Sequence, residues 1–367
     1  MKIIEVTNVD FSLRHFVLPL MRAARDRGHE MIGVSAAGPL LDDARAEGFR
    51  IVTLPFQRNL SPTAHFRAFL ALVRLFRAER PDLVHAHMPI SGFLARVAAR
   101  VARVPRVAYT CHGFLFNQDG GALFRAAGFA MEWIAGRLTD VFLTVSTVEA
   151  SDARRLRIFA NPVAVGNGRD PRRFHPDAEA RARIRAGFGT SADRVVIVAV
   201  ARLVGDKGFR ELAAAMRDVR DAELWVVGER LASDRGEDMA AMLSGAGLGA
   251  RLRLLGYRTD VPAILAAADI FTLPSYFEAL PMSVIEAMLT GLPVVASDIF
   301  GPREQVVPGV TGLLVTVRDA ASLAAGLGRL VHDPGLRASM GEAGRARARA
   351  LYDEARVTAR TLDLLDL

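Results

Sequence analysis

The sequence predicts an α/β protein of two doubly wound domains that face a central cleft. Three observations carry that prediction. Short apolar runs rich in β-branched residues alternate with longer stretches of helical period. The runs are continuously apolar rather than alternating, as strands buried on both faces of a parallel sheet are. They also fall into two sets, parted by "GNGRDPRRFHPDAEA", residues 166–180, which is rich in Gly, Pro and charge. The first set is "KIIEVT", "MIGVSA", "RIVTL", "DLVHAH", "RVAYTC" and "DVFLTVS"; the second is "RVVIVAVA", "AELWVVG", "RLRLLG", "DIFTLP" and "PVVAS". A chain of 367 residues is long for one core and natural for two. The expected divisions are residues 1–170, residues 171–350, and a terminal helix at 351–367. In open sheets of this kind, ligands bind beyond the carboxyl ends of the strands.

Composition narrows the function classes. The apolar fraction of 51% and charged fraction of 24% are those of a globular protein. A single cysteine, Cys111, leaves no internal disulfide and fits a reducing compartment. Met1 runs straight into a strand-like segment with no signal-peptide pattern. No apolar stretch reaches the roughly 18 residues of a membrane span. The expectation is a cytoplasmic protein that meets a membrane, if at all, from its surface. The net charge of +7 sits in the first half, and residues 51–110 alone carry nine basic and two acidic side chains. No zinc-finger spacing or glycine-aromatic RNA signature accompanies that excess, which argues against nucleic acid and for an anionic membrane surface.

The first half offers several candidates. "TNVDFSLRHF" follows the first strand; Asn8 is placed to contact a ligand, while Asp10 reads equally well as a helix N-cap. "SPTAHFRAFLALVRLFRAERP" puts Arg67, Arg74 and Arg77 on one side of a helix that also carries Phe66, Phe69, Leu70, Val73 and Phe76. Such a helix can lie on anionic lipid, or it can be a core helix with a solvated face. "SGFLARVAARVARVPR" repeats the pattern with Arg96, Arg100 and Arg103, which favours the membrane reading. "HAHMPISG" places His85 and His87 on one strand face, a pair for which no third metal ligand of suitable spacing is found. "YTCHGFLFN" ends a strand and opens a loop holding His112, Gly113 and Phe114. A histidine there is either structural or a ligand contact.

In the second half, "VAVARLVGDKGFRELAAAM" sets Arg202 and Lys207 around a turn at the carboxyl end of a strand. A diphosphate needs such cations; an exposed ion pair is the alternative for Arg202. Lys207 is one of only two lysines, against 45 arginines, which suggests a need for a compact ammonium. "YFEALPMSVIEAM" carries Glu278 and Glu286 in an otherwise apolar run. Pro281 suits the first turn of a helix, so Glu278 lies in the loop above it and Glu286 within it. The free N–H groups of "PMSV" form an anion site. A carboxylate also suits a pair of vicinal hydroxyls, although a helix cap and a solvated side chain would equally explain the two glutamates.

Taken together, "ARLVGDKGF" and "SYFEALPMSVIEAMLTGLPVVASDIFGPREQVVPGVTGLLV" resemble the nucleotide-sugar half of retaining glycosyltransferases of family 4. These have the GT-B fold, two Rossmann-like domains of which the last helix returns to the first. The resemblance spans residues 195–320, with three motifs in order, and "GNGRDPRRF" matches the segment leaving the first domain. It implies that Glu286 grips the ribose hydroxyls and Glu278 faces the donor sugar. Arg202 and Lys207 would take the diphosphate, assisted by amides near Leu280, Pro281, Met282 and Ser283. Backbone around Leu255 and Tyr257 would hold the base. His112 would contact the donor sugar; Asn8, Asp10, Gly113 and Phe114 are the acceptor-side candidates. Ala279 departs from the family's usual glycine and leaves the sugar preference open, and no glycine follows the first strand.

The expected activity is a retaining transfer from a UDP-hexose or UDP-N-acetylhexosamine to a hydroxyl of a lipid-linked glycan, in surface polysaccharide or glycolipid synthesis. No cofactor and no metal is expected, because the chain has no Asp-x-Asp cluster and its cations already face the phosphates. The expected location is peripheral, on the anionic inner face of the cytoplasmic membrane. A UDP-N-acetylhexosamine 2-epimerase on the same fold is the enzymatic alternative, and an inactive sugar-nucleotide-binding subunit the non-enzymatic one.

Overall fold

The computed structural model describes residues 1–56, 61–118, 120–230, 234 and 236–367. The chain divides into two compact units, Met1–Gly166 with Ala355–Leu367, and Asn167–Glu354. Each is an α/β unit built on one parallel sheet.

The first sheet has seven strands: β1 (Lys2–Val6), β2 (Glu30–Ser35), β3 (Arg50–Thr53), β4 (Leu83–His87), β5 (Arg106–Cys111), β6 (Val141–Thr144) and β7 (Val163–Ala164), in the spatial order β3-β2-β1-β4-β5-β6-β7. Successive residues of a strand point to opposite faces, and both faces are covered. Ile4, Val6, Val84 and Tyr109 join the helices Pro62–Glu79 and Pro89–Val101 in one core. Ile3, Leu83 and Ala108 pack in the other, with Leu13, Val17 and Met21 and with Leu362 and Leu365 from the end of the chain. The terminal helix Glu354–Leu364 therefore completes the first unit's core; Arg27 also donates to the Asp363 carboxylate at 2.9 Å.

The second sheet has six strands: β8 (Val195–Val200), β9 (Ala222–Val227), β10 (Leu252–Gly256), β11 (Ile270–Leu273), β12 (Val294–Ser297) and β13 (Gly312–Val315), in the order β10-β9-β8-β11-β12-β13. Its order reverses at β8, which neighbours β9 and β11. That switch point is where an open α/β sheet leaves a crevice for a ligand.

Eleven apolar runs read from the sequence all lie on strands; β7 and β13 are additional. β7 has two residues, too few to show a pattern. β13 opens on Gly312, ordinarily a strand-weakening residue. Here a Cβ at position 312 would stand 2.2 Å from the Val294 carbonyl oxygen on β12, so close strand approach needs glycine.

One expectation is corrected. Arg96 is fully buried and cannot touch a membrane. Its guanidinium donates to Glu132 at 2.8 Å and to the Gly92 carbonyl at 3.0 Å, and lies 3.7 Å from the centre of the Tyr109 ring. Tyr109 donates to the same carboxylate at 3.0 Å. Burial without such partners would be prohibitive for either charge. Arg100, one turn on, is held by the Leu138 carbonyl at 3.0 Å and Asp140 at 2.6 Å. Neither arginine of that helix is exposed, and only Arg103, just past its end, is, so the second basic face does not exist.

Candidate functional site

In the second unit the candidate donor residues converge on the carboxyl ends of the strands around β8. Beyond β8, Arg202 is followed by a short turn, Gly205–Lys207, and then by Gly208 with φ +70°. A Cβ on Gly208 would lie 2.0 Å from the Pro274 carbonyl oxygen, so this turn packs against the loop after β11 only as glycine. That approach brings Lys207 to Glu278, with Nζ donating to Oε1 at 2.8 Å. Ser275 donates its hydroxyl to the same oxygen at 2.8 Å. Lys207 and Glu278 are largely buried. An ammonium has three donors, so the pair leaves Lys207 able to bind a second anion.

Glu286 lies on the helix Met282–Leu289, for which Pro281 is the N-cap residue rather than the first helical residue. Its Oε1 accepts from Arg169 Nε at 2.6 Å. Arg169 is 9% exposed and lies in "GNGRDPRRF", where nothing local in the sequence singles it out. Asn167 donates to the Leu280 carbonyl at 2.8 Å, and Gln305 to the Pro281 carbonyl at 2.9 Å. Leu280 and Pro281 are buried, whereas Met282 and Ser283 are half-buried where the helix dipole is positive. Glycine at 301 lets the next helix approach the loop, since a Cβ there would be 2.7 Å from the Ala279 carbonyl oxygen. Ala279 itself has no left-handed φ, so alanine fits its backbone without strain. Arg202 is exposed and ion-paired with Asp234. Beside β9, a register shift after Leu254 sets Leu255 out of the ladder, and Tyr257 is 45% exposed.

The first unit holds a separate polar cluster. On one face of its sheet, Ile3, Leu83 and Ala108 are apolar near the strand starts, while Glu5, His85, His87 and Thr110 follow toward the carboxyl ends. Register places Glu5 beside His85 and His87 beside Thr110. Glu5 and the two histidines are buried. His87 Nε2 meets Glu5 at 2.8 Å, and His85 meets Glu5 at 3.2 Å through Nδ1 and Thr110 at 2.8 Å through Nε2. His112 Nε2 lies 3.1 Å from His87 Nδ1. Burial pushes the Glu5 carboxyl up, but the charge of His85 and the hydrogen bonds from both histidines outweigh it and bring the pKa to about 2. Burial, then the charge of His85, lowers His87 to about 4. The same burial, with both other histidines nearby, holds His112 well below the usual histidine range.

Glu5 is thus the third group that spacing did not reveal for the His85–His87 pair. The three ligand atoms lie within 4.8 Å of one another, close enough to hold a metal ion. Direct hydrogen bonds among the three already use these donors and acceptors.

The remaining first-unit candidates follow β1 and β5 in the chain. Met88, directly after His87, takes φ +63°, a conformation that non-glycine residues adopt at a cost of about 1–3 kcal/mol. Phe16, from a π-helical turn at Leu13–Val17, sets its ring 5.3 Å from His112. Asn8 Oδ1 is buried with no partner among the described residues. Asp10 is not an N-cap: the cap residue is Val9, and the Asp10 carboxylate accepts from Phe11 N at 2.8 Å and Leu40 N at 3.2 Å. Those bonds tie the loop after β2 to the first helix, a structural role. Gly113 takes φ +125°, and Phe114 is buried against Phe116.

Comparison with known proteins identifies the family. The model for "Glycosyl transferases group 1" matches residues 180–347, and that for "Glycosyltransferase Family 4" matches residues 14–173. An Escherichia coli UDP-Gal:alpha-D-GlcNAc-diphosphoundecaprenol alpha-1,3-galactosyltransferase is 30% identical over 81% of this chain and 78% of its own. The chain belongs to glycosyltransferase family 4. A Campylobacter jejuni N,N'-diacetylbacillosaminyl-diphospho-undecaprenol alpha-1,3-N-acetylgalactosaminyltransferase is 24% identical over 100% of the transferase and 98% of its own chain. Among solved structures, Anabaena HepE in complex with UDP and glucose superposes with a TM-score of 0.86 at 21% identity, covering 100% of the transferase and 99% of HepE. Sucrose-phosphate synthase from Thermosynechococcus elongatus also gives 0.86, at 22% identity and 100% and 98% coverage. At these identities the structural likeness establishes the GT-B fold. The transferase has no helix long and apolar enough to cross a membrane among its described residues.

Proposed function

We propose that the transferase moves a hexose or N-acetylhexosamine from a UDP donor to a hydroxyl of a lipid-linked glycan, with retained anomeric configuration and without a divalent cation. The observation that carries the donor half is the pairing of Lys207 with Glu278 at 2.8 Å, beside the start of the helix that holds Glu286. In this reading Glu286, oriented by Arg169, accepts from the two ribose hydroxyls. Lys207, Arg202 and the amides of Met282 and Ser283 receive the diphosphate. Glu278 accepts from sugar hydroxyls, and backbone at Leu255 and Tyr257 borders the base. The second unit is then the nucleotide-sugar domain and the first the acceptor domain. Relatives named for UDP-galactose and for undecaprenyl-diphosphate glycans support the donor and acceptor classes.

The chemistry follows from where charge develops. The bond from the anomeric carbon to the diphosphate breaks, and negative charge grows on the leaving oxygen. Lys207, Arg202 and the helix start stabilise it most at the transition state, the part a metal plays elsewhere. The acceptor oxygen bonds to the anomeric carbon on the face the diphosphate leaves, and its proton passes to the departing phosphate oxygen.

A panel of nucleotide-sugars, incubated with and without a lipid-diphosphate-linked glycan in excess chelator, tests this reading. The expected result is acceptor-dependent UDP release and a glycoside whose anomeric proton coupling matches the donor's configuration. Activity lost to chelator and restored by magnesium or manganese, an inverted linkage, or acceptor-independent epimerisation of the sugar would each overturn it.

A further inference from the structure

The first unit's polar cluster leaves one atom unexplained. His112 Nδ1 is buried and has no hydrogen-bond partner among the described residues. Burying a polar atom without a partner costs roughly 1–3 kcal/mol, so a partner is expected from outside the chain. Which kind of partner depends on whether that nitrogen carries a proton, and the chain of hydrogen bonds behind it decides this.

The chain starts at Glu5. An ionised carboxylate only accepts, so His87 Nε2, 2.8 Å away, is the protonated nitrogen of its ring. A neutral imidazole has one N–H, so His87 Nδ1 carries a lone pair. His112 Nε2, 3.1 Å from that lone pair, is therefore an N–H that donates to it. The proton of neutral His112 is thereby spent on His87, and its Nδ1 is an acceptor. The downward shifts of Glu5, His87 and His112 favour these same protonation states at neutral pH.

The geometry points to Glu5 and His87 as positioning residues that fix His112 in the tautomer protonated at Nε2, so that Nδ1 takes a hydroxyl of the ligand and disfavours an anionic oxygen. This rests on the reading of the transferase as acting on a sugar-nucleotide. It deepens that reading by naming the two residues that decide which ring nitrogen of His112 is free for a ligand hydroxyl. Asn8, just beyond the carboxyl end of β1 on the same sheet, has a second buried acceptor without a partner among the described residues, which is consistent with a hydroxyl-bearing ligand.

The test reads the tautomer directly. With the full chain labelled at its histidines with ¹⁵N and ¹³C, and with His112 assigned through the His112→Gln variant, His112 should show an unprotonated Nδ1 and a protonated Nε2 at pH 7.5. A protonated Nδ1 in the wild-type chain overturns the proposal without any variant. In Glu5→Gln, the side-chain amide can donate to His87 Nε2, which reverses the chain and should move the His112 proton to Nδ1. An unchanged His112 tautomer in a folded Glu5→Gln protein also overturns it. With the donor identified in the nucleotide-sugar panel, Glu5→Gln should lower kcat/KM roughly tenfold, about the size of one lost hydrogen bond, while UDP affinity stays unchanged. A reversed tautomer with unchanged transfer would overturn the assignment of Nδ1 to the substrate. Absence of transfer from every nucleotide-sugar would instead defeat the proposed function and leave the tautomer measurement standing.

Discussion

Glu286 shows how little one residue's role depends on that residue alone. Its carboxylate is useful for binding two vicinal hydroxyls only if its oxygens point the right way, and Arg169 Nε at 2.6 Å holds one of them. Arg169 is in turn fixed by its backbone, which accepts from Glu354 N at 3.1 Å and donates to the Tyr352 carbonyl at 2.9 Å. Replacing Glu286 by Ala is expected to weaken UDP binding by about 1.5–3 kcal/mol, the worth of charged hydrogen bonds. Arg169→Met should weaken it too, while Lys207→Ala should lower turnover more than affinity because leaving-group charge peaks in the transition state. Calorimetry with UDP alongside steady-state rates separates these cases. Wild-type UDP affinity in Arg169→Met would remove that residue from the site, and wild-type turnover in Lys207→Ala would remove Lys207 from the chemistry.

Among the elements, the helix Pro62–Glu79 is the one whose surface calls for a partner. It buries Ala68, Leu72, Val73 and Phe76 on one side. On the other, Arg67, Arg74 and Arg77 are exposed, and Phe66 beside Arg67 is 61% exposed. Three cations along one face, with an open aromatic ring at its amino end, suit an anionic lipid surface, where the ring enters the boundary region and the guanidinium groups meet phosphates. We expect binding to vesicles with phosphatidylglycerol to fall steeply with salt. Arg67→Gln, Arg74→Gln and Arg77→Gln together should reduce it while leaving fold and UDP affinity intact. Equal sedimentation of this triple variant and the wild type with such vesicles would exclude the helix as the contact. The neighbouring helix makes a useful contrast: a similar run of arginines there serves the core through Arg96 and Glu132.

At the scale of the whole molecule, the buried cluster of the first unit links stability to pH. His87 has a folded pKa lowered to about 4 from 6.5, so the unfolded chain binds its proton first as pH falls. Its neutral burial is therefore tolerated above the unfolded value and opposes folding increasingly between about 6.5 and 4. His112 acts in the same direction. Glu5, lowered from 4.5 to about 2, contributes stability above 4.5 that is lost as pH falls toward 2. The two effects add, and roughly a few kcal/mol should disappear between pH 7 and pH 4. Thermal unfolding followed across that range should show the first unit's transition falling steeply. His87→Gln, which removes one of these titrations, should flatten the profile; an identical pH slope in that variant would show that the cluster is not responsible.

Periodicity and motif spacing were enough to read the α/β class, two domains, eleven of the strands and the loop-helix carrying Glu278 and Glu286. Those features are local: a buried parallel strand is a short apolar run, and a helix start with its acidic neighbours is contiguous in sequence. Partners distant in sequence were not legible. Arg169, in the segment after β7, meets Glu286 on a helix more than a hundred residues later. Glu5 meets His87, and through it His112, because parallel strands bring their carboxyl ends side by side. Likewise Arg96 and Arg67 stand in the same kind of basic, apolar helix. What separates them is that one faces Glu132 and Tyr109 and the other faces solvent, a choice made by the packing of neighbouring helices on the sheet.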